Sequence, residues 1–170
     1  NIMNHLDNFN ILTDQQHGFR RHRSCESQLA FTTHDFVYAL DKRKQTDVVI
    51  MDFSKAFDVV PHTRLMHKIN YYGIRGSTHK WISNFLMYRQ QRVVIGGENS
   101  GWVHVQSGVP QGTVLGPLLF LLYINDLPDH ITSNVRLFAD DCVIYRTITN
   151  DFDAQNLQND LNILSDWAQT

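Results

Sequence analysis

The sequence predicts an α+β fold in which a small antiparallel sheet packs on helices. Short runs of β-branched and aromatic residues bounded by turn signals lie at Asp47 to Phe53 and on both sides of Asp140-Asp141. Between and around them, longer segments repeat apolar residues at helical spacing. At 170 residues, with 42% hydrophobic and 11% aromatic content, the chain can bury a sizeable core as one domain.

The elements follow in order. Ser24 is a good N-cap for a helix running through Leu29, Phe36, Val37 and Leu40. Asp47-Val48-Val49-Ile50-Met51-Asp52-Phe53 reads as a buried strand because its apolar run is continuous. Pro61 can open a helix through Leu65, Ile69 and Tyr72, which Gly73 ends. Another helix begins at Ser77 and runs through Trp81, Phe85 and Leu86. Arg92-Val93-Val94-Ile95 and Trp102-Val103-His104-Val105 read as hairpin strands joined across residues 96–101. A loop punctuated by Gly108, Pro110, Gly112, Gly116 and Pro117 leads into a buried apolar helix. Val135-Arg136-Leu137-Phe138-Ala139 and Cys142-Val143-Ile144-Tyr145 then form a hairpin, and Ala154, Leu157, Leu161, Leu164 and Ala168 mark a last amphipathic helix.

Asp140 and Asp141 crowd like charges at the tip of that last hairpin, where an Asn-Gly turn would form more easily. A divalent cation is the simplest neutraliser, since carboxylate oxygens suit Mg²⁺ or Mn²⁺. An isolated Asp-Asp is more often a solvated turn, but Asp52 ends the earlier strand. If the two strands are neighbours, three carboxylates meet at one spot, enough to bridge two ions about 3.5–4 Å apart for in-line phosphoryl transfer. Ser107-Gly108-Val109-Pro110-Gln111-Gly112 lies between them; its glycines permit close approach to a ligand and Gln111 offers donors and an acceptor.

In this order, Asp52-Phe53-Ser54-Lys55-Ala56-Phe57-Asp58, Ser107-Gly108-Val109-Pro110-Gln111-Gly112 and Phe138-Ala139-Asp140-Asp141 resemble motifs A, B and C of the reverse transcriptase palm. The match is nearest to the non-long-terminal-repeat (LINE-like, jockey-type) retrotransposon polymerases. Gln16-His17-Gly18-Phe19-Arg20, Arg23-Ser24-Cys25, Gly116-Pro117-Leu118-Leu119-Phe120 and Ile124-Asn125-Asp126-Leu127-Pro128 extend it over nearly the whole chain. The resemblance implies a right-hand polymerase palm over residues 46–170, preceded over residues 1–45 by a helical segment that connects to the fingers and is their remnant. It implies an RNA-directed DNA polymerase, a nucleotidyltransferase that adds deoxynucleotides to a DNA primer on an RNA template. Asp52, Asp140 and Asp141 would be its catalytic residues, holding two Mg²⁺ ions or Mn²⁺ in their place, with the Phe53 backbone beside the metals and triphosphate. Phe57 would pack under the incoming sugar and exclude a 2′-hydroxyl; its plainer role is core packing. Pro110, Gln111 and Gly112 would shape the nucleotide pocket, while Phe138, Ala139 and Arg20 would meet primer or template. The finger and thumb segments of the same polyprotein are expected partners without which these residues do not suffice for catalysis. The reaction would take place inside the cell, in the nucleus or cytoplasm, with nuclear action expected for insertion into a chromosome.

Two other functions stay open: an RNA-dependent RNA polymerase, with Asp58 accepting a ribose hydroxyl, and an inactive retroelement remnant that binds RNA or protein. The net charge of −2 argues mildly against a nucleic-acid partner. Basic groups nevertheless cluster at Arg20-Arg21-His22-Arg23, at Lys42-Arg43-Lys44, and at Arg89 with Arg92. The longest apolar stretch, Val114 to Ile124, is too short to cross a bilayer, so a soluble, unsecreted protein without a membrane partner is expected. Cys25 and Cys142 are too few for a disulfide scaffold. The nine histidines complete no zinc motif, and neither a serine-histidine-acid order nor a phosphate loop ending in Gly-Lys-Ser/Thr is present.

Overall fold

The computed structural model describes residues 2–169. Its helices are α1 (Ile2–Asn8), α2 (Cys25–Asp41), α3 (His62–Tyr71), α4 (Gly76–Leu86), α5 (Leu115–Ile124) and α6 (Asp151–Gln169), with a 3₁₀ turn at Leu127–His130. The strands are β1 (Gln45–Asp52), β2 (Gln90–Gln91), β3 (Val94–Ile95), β4 (Glu98–Asn99), β5 (Val103–His104), β6 (Asn134–Phe138) and β7 (Asp141–Ile148). Contacts group the chain into two units. One takes residues up to Ile11 together with Lys55–Tyr123, the other Leu12–Ser54 together with residues from Ile124 onward. Sequence on both sides of residue 45 contributes to each unit.

In the second unit an antiparallel sheet has the order β1-β7-β6. Ser24 caps α2 as expected, through a capping box with Ser27 that satisfies two donors at the helix start. Helix α2 lies against one sheet face. There the Phe36 and Tyr145 rings meet edge to face at 5.1 Å, and Asp35 pairs with Arg136 at 3.0 Å and accepts from the Tyr145 hydroxyl. Burial, and then the bond to Asp35, push the Tyr145 pKa above its ordinary value. Helix α6 takes the other face, where Arg146 reaches Asp153 at 3.5 Å and Asp160 at 3.9 Å.

Asp160 falls on the buried face of α6 beside Leu157 and Leu164. It accepts from the Thr132 and Ser133 amides at 3.1 and 2.8 Å. Burial works to raise its pKa; the hydrogen bonds from Ser133 and Thr132 outweigh burial and hold the carboxyl below its usual range.

Strand β1 departs from the sequence reading. The run at Val48 to Met51 is not buried on both faces; it forms a sheet edge, with Val48 41% and Ile50 78% exposed. An antiparallel edge needs only one covered face, so an unbroken apolar run overstates burial.

The first unit joins α3 and α4 to the apolar helix α5. Pro61 and Gly73 bound α3 as expected, and Leu119, Phe120, Leu121 and Leu122 of α5 are buried. The strands between α4 and α5 differ in register from the expected hairpin. Val94–Ile95 closes on Glu98–Asn99 across Gly96-Gly97, and Gln90–Gln91 pairs with Val103–His104. Both glycines take positive φ, 58° and 88°, so a two-residue turn matching the strand twist replaces the six-residue loop. Among the described residues no helix is long and apolar enough to cross a membrane.

Candidate active site

The register of the three-stranded sheet builds the acidic cluster. Asp52, the last residue of β1, lies directly opposite Asp141, the first of β7, and Phe138 of β6 faces Asp141 from the other side. Cross-strand partners share a face, so Phe138, Asp141 and Asp52 form a row at one end of the sheet. Asp140 occupies the two-residue turn with Ala139. Asp52 and Asp141 are exposed and Asp140 is half-buried.

Among the described residues, none of these three carboxylates forms an ion pair or hydrogen bond with another side chain. Like charges directly opposite each other destabilise a sheet, and a cation between them reverses that effect. Among the described residues no group of three or more His, Cys, Asp or Glu side chains is arranged to hold an ion. The sheet pairs two carboxylates, and the third is one residue away in the turn. This set of hard oxygen donors fits Mg²⁺ or Mn²⁺. Adjacent Cys142 is buried and alternates to the strand face opposite Asp141, away from the carboxylate row; burial pushes its thiol up to about 12.

The turn is held from behind by residues for which the sequence offered only the resemblance. Buried Gln16 accepts from the Ala139 amide at 2.9 Å and donates to the Ala139 carbonyl at 3.2 Å. The same Gln16 carbonyl oxygen accepts from the Gly18 amide at 2.7 Å. The His17 amide donates to Leu137 at 2.8 Å, and the Leu137 amide to Gln15 at 2.9 Å, so this segment lies along the outer edge of β6. Ala139 has φ 54°, a left-handed conformation uncommon for a residue with a Cβ, and Gln16 secures both of its backbone polar groups. A glutamine two residues before a glycine was the available signal, though spacing cannot say which turn it serves.

In the other unit, the glycine-containing loop is joined to the segment after Asp52. Gln111 donates to the Asp58 carboxylate at 2.8 Å, the Ser107 hydroxyl to the Asp58 carbonyl at 2.8 Å, and the Val109 amide to the Phe57 carbonyl at 2.8 Å. Gly108, at φ 84°, lies so close that a Cβ would meet the Asp58 carbonyl oxygen at 2.7 Å. Asp58, Ser107, Gly108, Val109 and Gln111, with Lys55, Arg89 and Pro110, line a cleft of about 530 Å³. Gly112, exposed at φ 72°, follows Gln111. Phe57 is half-buried and stacks on Phe120 at 4.3 Å and 22°. Within the carboxylate unit, the Phe53 ring packs on Trp167 at 6.1 Å. Arg20 directs its guanidinium to the carbonyls of Leu12 and Thr13, at 3.1 and 2.6 Å.

Comparison with known proteins fits this arrangement. The "Probable RNA-directed DNA polymerase from transposon X-element" of Drosophila melanogaster is 32% identical over 171 residues, covering 94% of this chain and 18% of its own length. The "RNA-directed DNA polymerase from mobile element jockey" of Drosophila funebris is 28% identical over 162 residues, covering 90% of this chain and likewise 18% of its own. The chain therefore spans about a fifth of the length of these relatives. Among solved structures, apo telomerase from Candida tropicalis, truncated from its C-terminal domain, aligns with a TM-score of 0.64 at 10% identity, over 91% of this chain and 34% of that one, a likeness of fold alone. Residues 1–170 match, from end to end, the family described as "Reverse transcriptase (RNA-dependent DNA polymerase)", and the chain belongs to that family.

Proposed function

We propose that the protein carrying this chain is the RNA-directed DNA polymerase of a non-long-terminal-repeat retrotransposon, adding deoxynucleotides to a DNA primer on an RNA template. The observation that carries this reading is Asp52 set directly across from Asp141, next to Asp140 in a backbone-clamped turn. Asp52, Asp140 and Asp141 would hold two Mg²⁺ ions, with the Phe53 backbone adjoining them. When bound, such ions lower the pKa of an attacking hydroxyl and stabilise charge on the leaving oxygen.

The chain's own residues bind and orient. Phe138 and Ala139 adjoin the carboxylates in the row and turn where a primer terminus would lie. Phe57, its ring held by the stack on Phe120, would reject a 2′-hydroxyl by overpacking. Gln111 gives an amide N–H to Asp58, which orients its carbonyl oxygen as an acceptor for a sugar hydroxyl; Pro110 and Gly112 shape the backbone around it. Arg20, bonded to backbone carbonyls, would serve template or primer by shaping its loop. On this reading residues 1–45 connect fingers to palm, residues 46–170 form the palm, other polyprotein segments supply fingers and thumb, and insertion takes place in the nucleus.

The test is Mg²⁺-dependent primer extension on an RNA template by the full-length protein. Deoxynucleotide-specific extension that Asp140→Asn reduces by about 10³-fold or more is expected. Extension by Asp140→Asn at the wild-type rate would sink the catalytic assignment.

A further inference from the structure

Two side chains of the first unit converge on one carbonyl oxygen. His62, the buried first residue of α3, has its Nε2 2.8 Å from the Gly108 oxygen, and because a carbonyl only accepts, Nε2–H is the donor. Arg89, between α4 and β2, donates to the same oxygen through Nη2 at 3.0 Å, while its Nε–H holds the Leu86 carbonyl at 2.9 Å. A carbonyl oxygen has two lone pairs, so these two donors fill it. The other end of that peptide unit, the Val109 amide, donates to the Phe57 carbonyl at 2.8 Å. One peptide plane is thus held at both ends, by Phe57 on one side and by His62 and Arg89 on the other.

The residue at the centre makes this hold consequential. Gly108 has φ 84° and no Cβ, so its own backbone preference leaves the plane that follows free to turn. Its amide donates to the Val60 carbonyl at 2.8 Å, which fixes the near side of the residue but not that plane. The plane sets where Pro110 and Gln111 go, and with them the amide bond that Gln111 gives to Asp58 at 2.8 Å. It also sets the distance from this loop to Phe57, the residue that would lie under an incoming sugar. We propose that His62 and Arg89 are positioning residues for sugar selection, acting through the Gly108-Val109 peptide. The inference rests on the polymerase reading and adds to it the two side chains that hold the sugar-facing segments in register.

The full-length protein is assayed by primer extension on an RNA template, and the ratio of kcat/KM for deoxynucleotide to that for ribonucleotide is compared among variants. The ratio does not depend on the fraction of protein that is folded, so a loss of stability alone leaves it where it was. His62→Leu and Arg89→Met should each lower it about tenfold, with the KM for deoxynucleotide raised and the KM for primer-template unchanged. His62→Gln, which carries an N–H as many bonds from Cβ as Nε2 is, should keep the wild-type ratio. Hydrogen exchange across residues 105–112, followed by mass spectrometry, should quicken in both loss variants. A wild-type ratio in His62→Leu overturns the proposal even if exchange quickens, since the tie is then structural only. Unchanged exchange in both variants overturns it as well. If His62→Leu gives no folded protein, Arg89→Met decides by the same ratio. Wild-type protein that extends no primer with either nucleotide would overturn the polymerase reading and sugar selection with it, whereas a wild-type enzyme that selects deoxynucleotides no better than its loss variants do overturns the positioning role alone.

Discussion

Gly18→Ala perturbs the Ala139-Asp140 turn without touching a carboxylate. Gly18 does not have a positive φ; it is a glycine for want of space. A Cβ there would stand 2.3 Å from the Ala139 nitrogen and 3.0 Å from both the Ala139 Cα and the Phe138 carbonyl carbon. Non-bonded heavy atoms settle near 3.5 Å, so the two backbones must part by about 1 Å. They are held by the Gln16 side-chain bonds to Ala139 and by the ladder between Gln15, His17 and Leu137, and the atoms the Cβ would meet are all backbone, with no flexible side-chain end to move aside. Overpacking of this kind destabilises by about 1–3 kcal/mol. A 1 Å shift at Asp140 lowers kcat on the order of 10²-fold, because phosphoryl transfer depends on positioned charge. Steady-state primer extension and a urea unfolding curve on the full-length protein would measure both effects. Gly101→Ala, where a Cβ meets nothing within 4 Å, is the control and should be neutral. A Gly18→Ala enzyme with wild-type kcat and midpoint would refute the claim that this contact sets the turn.

Three further outcomes are expected. Phe57→Val should raise ribonucleotide incorporation relative to deoxynucleotide by roughly 10- to 100-fold, read from kcat/KM for each, since the ring braced on Phe120 would no longer fill the space of a 2′-hydroxyl. Asp58→Ala should raise the KM for deoxynucleotide about tenfold by releasing the Gln111 amide, and should add little to Gln111→Ala in a double-mutant cycle, where additive losses would show that the two act separately. Asp160→Ala should destabilise by about 2–4 kcal/mol through two unpaired backbone donors, measured by urea unfolding. Because the folded pKa of Asp160 is lowered, its contribution is full above the unfolded carboxyl value near 4 and fades as pH falls through the folded value. The wild-type stability curve should therefore fall more steeply with acid than that of Asp160→Asn.

Local chemistry was legible in the sequence wherever one residue type decides one local geometry. Ser24 started α2, Pro61 and Gly73 bounded α3, and the apolar run after Gly116 became the buried helix α5. The order of the three motifs was likewise enough to indicate the family, now shown by the match over the whole chain. The same local logic failed at β1, since an apolar run is compatible with a central strand or a half-covered edge, and at Gly96-Gly97, where positive φ at both glycines selected the tighter turn.

Contacts between residues far apart in sequence were decided by tertiary structure. Asp52 and Asp141 become neighbours only through the register of β1 on β7. Gln16 and Asp160 could not be read as functional or structural from their own surroundings, because a buried polar group declares its purpose only through the backbone groups it satisfies. Alternation along a strand says which side chains share a face, whereas the register that sets two carboxylates opposite each other comes from the packing of α2 and α6 on the two faces of the sheet. The sequence alone determined the residue types and the local elements that carry them; the tertiary fold determined which of those residues meet, since pairing across many residues is set by the burial of whole faces rather than by any local preference.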